Sequence, residues 1–255
     1  MDTAPHKKFK ILLIGDNGVD QYQYGTVDRI SPEAPVPVIN HTHTMTKPGM
    51  AANVLDNLQK LGCDVVFIHG HKTSVKTRII DSKSKQQLIR IDQDQLSRPI
   101  KIEWDILGEF DAVVVSDYNK GSIDYQTIEQ LMIDYNGPIF IDTKKTDLHR
   151  FEGCYVKINQ KEFESAKTYP TELIVTKGNK GAVYKNNLIP ALDIEAFDVC
   201  GAGDTFLAAL VYQYCNTNDI VKSIEFAIKA SSVTIQHIGV YSPTLEEIEA
   251  IDDKA

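Results

Sequence analysis

The chain has 255 residues, 42% of them apolar and 24% charged, and a net charge of −8, a composition ordinary for a globular protein. The acidic balance excludes a general nucleic-acid binder, which carries a basic surplus. The first apolar run, residues 11–14, is too short for a signal-peptide core or a membrane span. No membrane partner is therefore expected.

In chain order, residues 11–14 read as a buried strand. Residues 21–46 carry Pro32, Pro35 and Pro37 and then alternate, which suggests an antiparallel piece outside the main sheet. Ala51, Val54, Leu55, Leu58 and Leu61 follow helical spacing, and Gly62 supplies a stop. Residues 65–68 form the next apolar run. Residues 76–92 read as two short strands, 77–80 and 87–91, around a polar turn, again outside the main sheet. Runs at 112–115, 139–141 and 173–175 have strand length, and a helix over 123–135 separates the first two. A further strand is expected at 192–197. Three helices close the chain, at 203–214, 219–236 and 245–251, the last with Thr244 and Glu247 as a capping box. Nearly continuous apolar strands alternating with helices imply a doubly wound, mostly parallel α/β sheet in one domain spanning 1–255. The two antiparallel pieces, about 21–46 and 76–92, suggest a small β lid over a cleft.

Cys63, Cys154, Cys200 and Cys215 are scattered and form no C-x-x-C pair. Reduced thiols in a cytoplasmic protein are expected, without a zinc site or disulfide framework. The segment with a chemical message is Asp198-Val199-Cys200-Gly201-Ala202-Gly203-Asp204-Thr205-Phe206. Glycines ahead of a helix let backbone amides approach an anion, and the helix N-terminus adds partial positive charge. A carboxylate at such a point either caps the helix or accepts a proton from a hydroxyl that attacks the bound phosphate. The four residues Gly201–Asp204 alone do not separate these readings.

Taken with its neighbours, this segment resembles the signature of the ribokinase-like (PfkB) carbohydrate kinases. The likeness extends to Gly15-Asp16, Asp20, Tyr24-Gly25, residues 29–38, Pro48-Gly49-Met50-Ala51-Ala52-Asn53, residues 86–92, Ser116-Asp117-Tyr118-Asn119-Lys120-Gly121, Asp142-Thr143-Lys144, Asn159-Gln160-Lys161-Glu162 and Thr176-Lys177-Gly178. The runs at 30–38 and 86–92 favour the branch that phosphorylates heptose 7-phosphate for lipopolysaccharide precursors. The resemblance implies an ATP-dependent sugar kinase that converts D-glycero-D-manno-heptose 7-phosphate to the 1,7-bisphosphate. Asp204 would be the base, and the Gly201, Ala202 and Gly203 amides the anion hole. Asp16, Asp20, Gly49 and Asn53 would line the sugar pocket; the plain alternatives are an Asx turn for Asp16 and a helix cap for Asn53. Asn159 and Glu162 would hold Mg²⁺ and phosphate through water, and Thr176, Gly178 and Gly181 would form a nucleotide loop. Asp198 would stand near a monovalent-cation site; the plain alternative is a turn residue.

The stretch from 72 to 92 holds six basic residues against two acidic ones in an otherwise acidic chain. Lys76, Arg78 and Arg90, with Arg29 and Gln87, are expected to meet a phosphorylated sugar. Exposed lid edges point to a homodimer through the lid. The chain differs from its relatives in having only residues 71–75 where they insert a helix-and-strand unit. It also has Met50 in place of the second glycine of a pair, a short helix after Glu162, and Ile228 where Asn is common. Two other readings remain: another sugar or nucleoside acceptor, or a catalytically silent sugar or nucleotide sensor.

Overall fold

A strand covered on both faces must be apolar on both, and the short apolar runs meet that condition. The computed structural model describes residues 8–102 and 104–251. Among these, ten strands form one mixed sheet. They are β1 (Lys10–Ile30), β2 (Pro37–Met50), β3 (Asp64–Asp81), β4 (Gln87–Gln93), β5 (Ala112–Asp117), β6 (Ile139–Thr143), β7 (Tyr155–Asn159), β8 (Leu173–Thr176), β9 (Ala182–Tyr184) and β10 (Asn187–Ile189). The order is β10-β9-β8-β7-β6-β5-β1-β3-β4, with β2 against β1. The central pairings from β3 through β8 are parallel. Strands β2, β4, β9 and β10 join antiparallel.

Among the described residues six α-helices accompany the sheet: α1 (Ala51–Lys60), α2 (Tyr125–Asp134), α3 (Gln160–Ser165), α4 (Ala202–Thr217), α5 (Ile220–Thr234) and α6 (Leu245–Glu249). Strand side chains alternate between faces, and two separate cores result. Ile11, Leu13, Ala112, Val114 and Phe140 pack with α1, α4, α5 and α6. Leu12, Ile14, Val113, Val115 and Ile141 pack with α2 and the 3-10 turns. The doubly wound arrangement expected from the sequence is present. The capping box at Thr244 and Glu247 is also in place.

Two expectations are corrected. The pieces at 21–46 and 76–92 are not separate from the main sheet. β1 runs on past Gly15-Asp16-Asn17-Gly18, where polar and glycine residues suggest a stop, because both its edges stay paired. Asn17 and Gly18 meet Thr73 and Ser74 of β3 on one side and Met50 and Gly49 of β2 on the other. With only a few residues after Gly70, β3 likewise continues directly to Asp81. The second correction concerns 192–197, which is not a strand. That segment instead lies against the end of α5, where the Phe197 and Asp198 amides donate to the Ile235 carbonyl at 2.8 and 3.2 Å.

Candidate active site

The carboxyl ends of β5, β6 and β7 and the start of α4 enclose a cleft of about 440 Å³, lined by Tyr118, Asp142, Lys144, Lys157, Asn159 and Asp204 among others. Open α/β sheets place ligands at this edge. Beside it lies an apolar slot of about 250 Å³, lined by Gly178, Leu192, Ile194, Phe206, Ile228 and other residues. Ile228 thus closes an apolar surface where an amide would offer hydrogen bonds.

Gly201 precedes α4 with φ of +80°, a left-handed conformation natural to glycine. A Cβ there would also lie 2.9 Å from Asn53 Nδ2. The amides that open α4 lack intrahelical acceptors, although Ala202 leans back to the Val199 carbonyl at 3.3 Å. Asp204 is the third residue of α4, not its cap. Its carboxylate turns away from the helix and is buried. Tyr118 Oη donates to Oδ1 at 2.6 Å, and Asn53 Nδ2 donates to Oδ2 at 2.8 Å. Burial pushes the Asp204 carboxyl above the usual range, the two hydrogen bonds oppose that rise, nearby Asp142 adds to it and Lys157 works against it. The result is a buried carboxylate with raised proton affinity at a helix N-terminus, which suits a general base.

Asn53 does not cap α1, which begins two residues earlier at Ala51. Its side chain spans from Asp204 to Asn57, whose Nδ2 donates to Asn53 Oδ1 at 3.3 Å. Met50 holds φ of +53° and is buried. A Cβ on Gly18 would sit 2.8 Å from Met50 Cγ, so this side chain fills the notch over β1. Gly49 is obligatory for a steric reason: a Cβ would stand 2.6 Å from Asp20 Oδ2.

Asp20 is ion-paired with Arg78, and both side chains are largely buried. Arg78 also lies over the Tyr22 ring at 5.4 Å and donates to Cys200 Sγ at 3.2 Å. It therefore reaches from β3 to the signature loop. Burial pushes the Cys200 thiol up, which is consistent with packing and not with nucleophilic chemistry. Lys76 Nζ lies 5.0 Å from the Tyr118 ring centre. Arg90 is paired opposite Arg78 in the β3–β4 ladder, and Asp92 takes its guanidinium at 2.7 and 2.8 Å. Arg29 and Gln87 are exposed near the far ends of β1 and β4 and are not brought to the cleft. Asp16 is buried, with its carboxylate accepting the amides of Tyr118 and Lys120 at 2.9 Å and of Ser122 at 3.3 Å. It anchors the loop behind the cleft.

On the opposite side, Asn159 and Glu162 form the capping box of α3, and Lys144 pairs with Glu162. Burial pushes the Lys144 amine down. Thr176 and Gly178 line the cleft, while Gly181 lines the neighbouring slot. Asp198 accepts the Cys200 and Gly239 amides at 2.9 and 2.8 Å, tying the signature loop to the loop after α5. Sequence reasoning assigned no role to Tyr118, Asp142, Lys144 or Lys157. The first three lie in stretches it had marked. Lys157 had no signal at all, yet it is buried, holds Asp142 at 2.6 Å and donates to the Gly203 carbonyl at 3.2 Å.

With this geometry in hand, similarity to known proteins adds the following. Residues 156–248 match the pfkB family carbohydrate kinase model. The chain is 30% identical over 94% of its length to the bifunctional protein HldE of Marinomonas sp. (strain MWYL1), covering 63% of that protein. It is 29% identical over 95% to HldE of a Nitratiruptor species, covering 64%. The chain thus spans under two thirds of these relatives. In structure it is similar to the ribokinase of Thermotoga maritima, with a TM-score of 0.72 at 18% identity over 96% of this chain and 99% of that one. It is also similar to phosphofructokinase-2 of Escherichia coli, with a TM-score of 0.73 at 15% identity and the same coverage. At those identities the likeness concerns the fold.

Proposed function

The chain belongs to the pfkB family of carbohydrate kinases, and from that premise we propose that it moves the γ-phosphoryl group of ATP onto a hydroxyl of a sugar phosphate, with heptose 7-phosphate as the acceptor. The observation that carries this reading is Asp204, a buried carboxylate of raised proton affinity beside the amides that open α4. The acceptor oxygen attacks the γ-phosphorus, and the bond from phosphorus to the bridging oxygen breaks. ADP leaves with that electron pair, and the hydroxyl proton passes to Asp204. The Gly201–Gly203 amides hold the transferred group, and the apolar slot takes the base of ATP.

Asp20, Gly49 and Asn53 line the sugar side, with Asp16 supporting them from behind. Lys76 and Arg78 are the cations best placed for the acceptor's phosphate, and Arg90 stands at the rim. The outer parts of β1, β2, β3 and β4 act as a lid whose closure excludes water, so that ATP is not hydrolysed. Among the described residues no cluster of three or more His, Cys, Asp or Glu could chelate a metal. The residues present fit Mg²⁺ only as an ion held by ATP phosphates and water, with Asn159 and Glu162 in its outer sphere. When bound there it would neutralise the β- and γ-phosphates.

A monovalent cation near Asp198 and a dimer through the lid belong to the same reading. Ile89 and Ile91 stand exposed on β4, and no helix among the described residues is long and apolar enough to cross a membrane. A cytoplasmic place, where ATP is supplied, completes it. The test is ADP release over a panel of sugars and sugar phosphates, with wild type and Asp204→Asn. Turnover with heptose 7-phosphate that falls about 10²–10⁴-fold in the variant is expected. Wild-type rates in the variant would remove Asp204 from the chemistry.

A further inference from the structure

Tyr118 is the first residue after β5. Its backbone is unusually well fixed. Asp16 takes its amide and the amides of Lys120 and Ser122, while Asn119 and Gly121 adopt left-handed φ of +57° and +88° to make that possible. Two cations lie over its ring, Lys76 Nζ from β3 at 5.0 Å and Lys144 Nζ from the end of β6 at 5.3 Å. Its hydroxyl meets Asp204 Oδ1 at 2.6 Å, and Asn53 fixes the other oxygen. A carboxylate oxygen has room for two donors, so each oxygen of Asp204 keeps one site for an incoming hydroxyl.

We propose that Tyr118 is the positioning residue of the base: with Asn53 it locks the Asp204 carboxylate in one orientation, with one acceptor site on each oxygen left for the sugar hydroxyl. The catalytic sense of this rests on the kinase reading above. Tyr118 itself takes no proton. Burial and the neighbouring charge of Asp204 push its phenol well above the ordinary value, so it stays a donor throughout. The two cations hold the ring without competing for its hydroxyl. The charged groups facing this pair are Asp142 and Lys157 from β6 and β7, Lys144 after β6, and Asp20 and Lys76 from the lid side.

Tyr118→Phe removes only the hydroxyl and keeps the ring under its two lysines. The first measurement needs no substrate: the titration of the Asp204 carboxyl carbon, followed by NMR on protein carrying labelled aspartate and assigned with Asp204→Asn. A donor to the ionised form lowers a carboxyl pKa, so the variant should titrate at higher pH than wild type. Fluorotyrosine placed at position 118 is a stronger donor and should move the titration the other way, which keeps the test intact if the phenylalanine variant does not fold. An unmoved titration in either protein overturns the proposal. The second measurement is the pH profile of kcat. In Tyr118→Phe the acid limb should move up and the plateau fall about tenfold to a hundredfold, with the Kd for ATP unchanged. A fall in kcat with an unmoved acid limb is what a merely structural tyrosine gives, and it refutes the role. If Asp204→Asn turns over like wild type, the base assignment fails instead, whatever the titration shows.

Discussion

Lys157→Met tests the electrostatic floor of the cleft. Lys157 and Asp142 are directly paired in register on adjacent parallel strands, 2.6 Å apart, with side-chain exposures of 5% and 10%. Water can screen such a pair very little. Removing one partner of a buried ion pair leaves the other charge desolvated and unanswered, at a cost of about 3–5 kcal/mol. The Gly203 carbonyl, 3.2 Å from Nζ, loses its donor as well, so the effect should reach the anion loop. For a protein of this size that cost corresponds to a melting temperature lower by roughly 6–20 °C. Asp142→Leu combined with Lys157→Met removes both charges and should recover most of the loss, because the penalty comes from the orphaned carboxylate. Thermal unfolding of the parent, the single variant and the double variant measures this directly. A single variant as stable as the parent, or a double variant no better than the single one, would show that the pair is not the buried unit inferred here.

Three further outcomes follow from the same site. Asp204→Asn should melt higher than the parent near neutrality, because the raised folded-state pKa means that ionising Asp204 opposes folding. That penalty is absent below about pH 4 and appears as pH rises through the folded value, so the gap should close on acidification; a gap that widens instead contradicts the sign. Asp16→Ala should cost about 2–4 kcal/mol and strip hydrogen-exchange protection from the Tyr118, Lys120 and Ser122 amides, while unchanged protection would mean that the loop holds itself. Arg78→Ala should raise the KM for heptose 7-phosphate about ten- to a hundredfold with less effect on free heptose, and equal losses on the two acceptors would return Arg78 to a purely structural partner of Asp20.

The sequence by itself determined the fold class and marked Asp204 as the candidate base. Short apolar runs can be covered only by helices on both faces, and glycines before a helix free backbone amides through local geometry alone. The glycine turn ahead of Asp204, the α6 capping box and the paired strands β3 and β4 were legible for that reason: each depends on residues close together in the chain. What lies far apart was not. Asp204 reads equally well as a helix cap until Gly201 is seen to take the cap position and α4 to start at Ala202, leaving the Asp204 carboxylate free to meet Tyr118 and Asn53, 86 and 151 residues away. The sequence marks Asp16 as a sugar-side residue, and only the structure shows its carboxylate taking three amides of the loop after β5. The glycine-rich segment 15–18 looks like the end of a strand, yet pairing on both edges carries β1 through it. Lys157 reads as an ordinary strand lysine with an exposed charge. Only the β6–β7 register sets it against Asp142 beneath Gly203, because strand register brings distant residues face to face and local sequence carries no record of the partner.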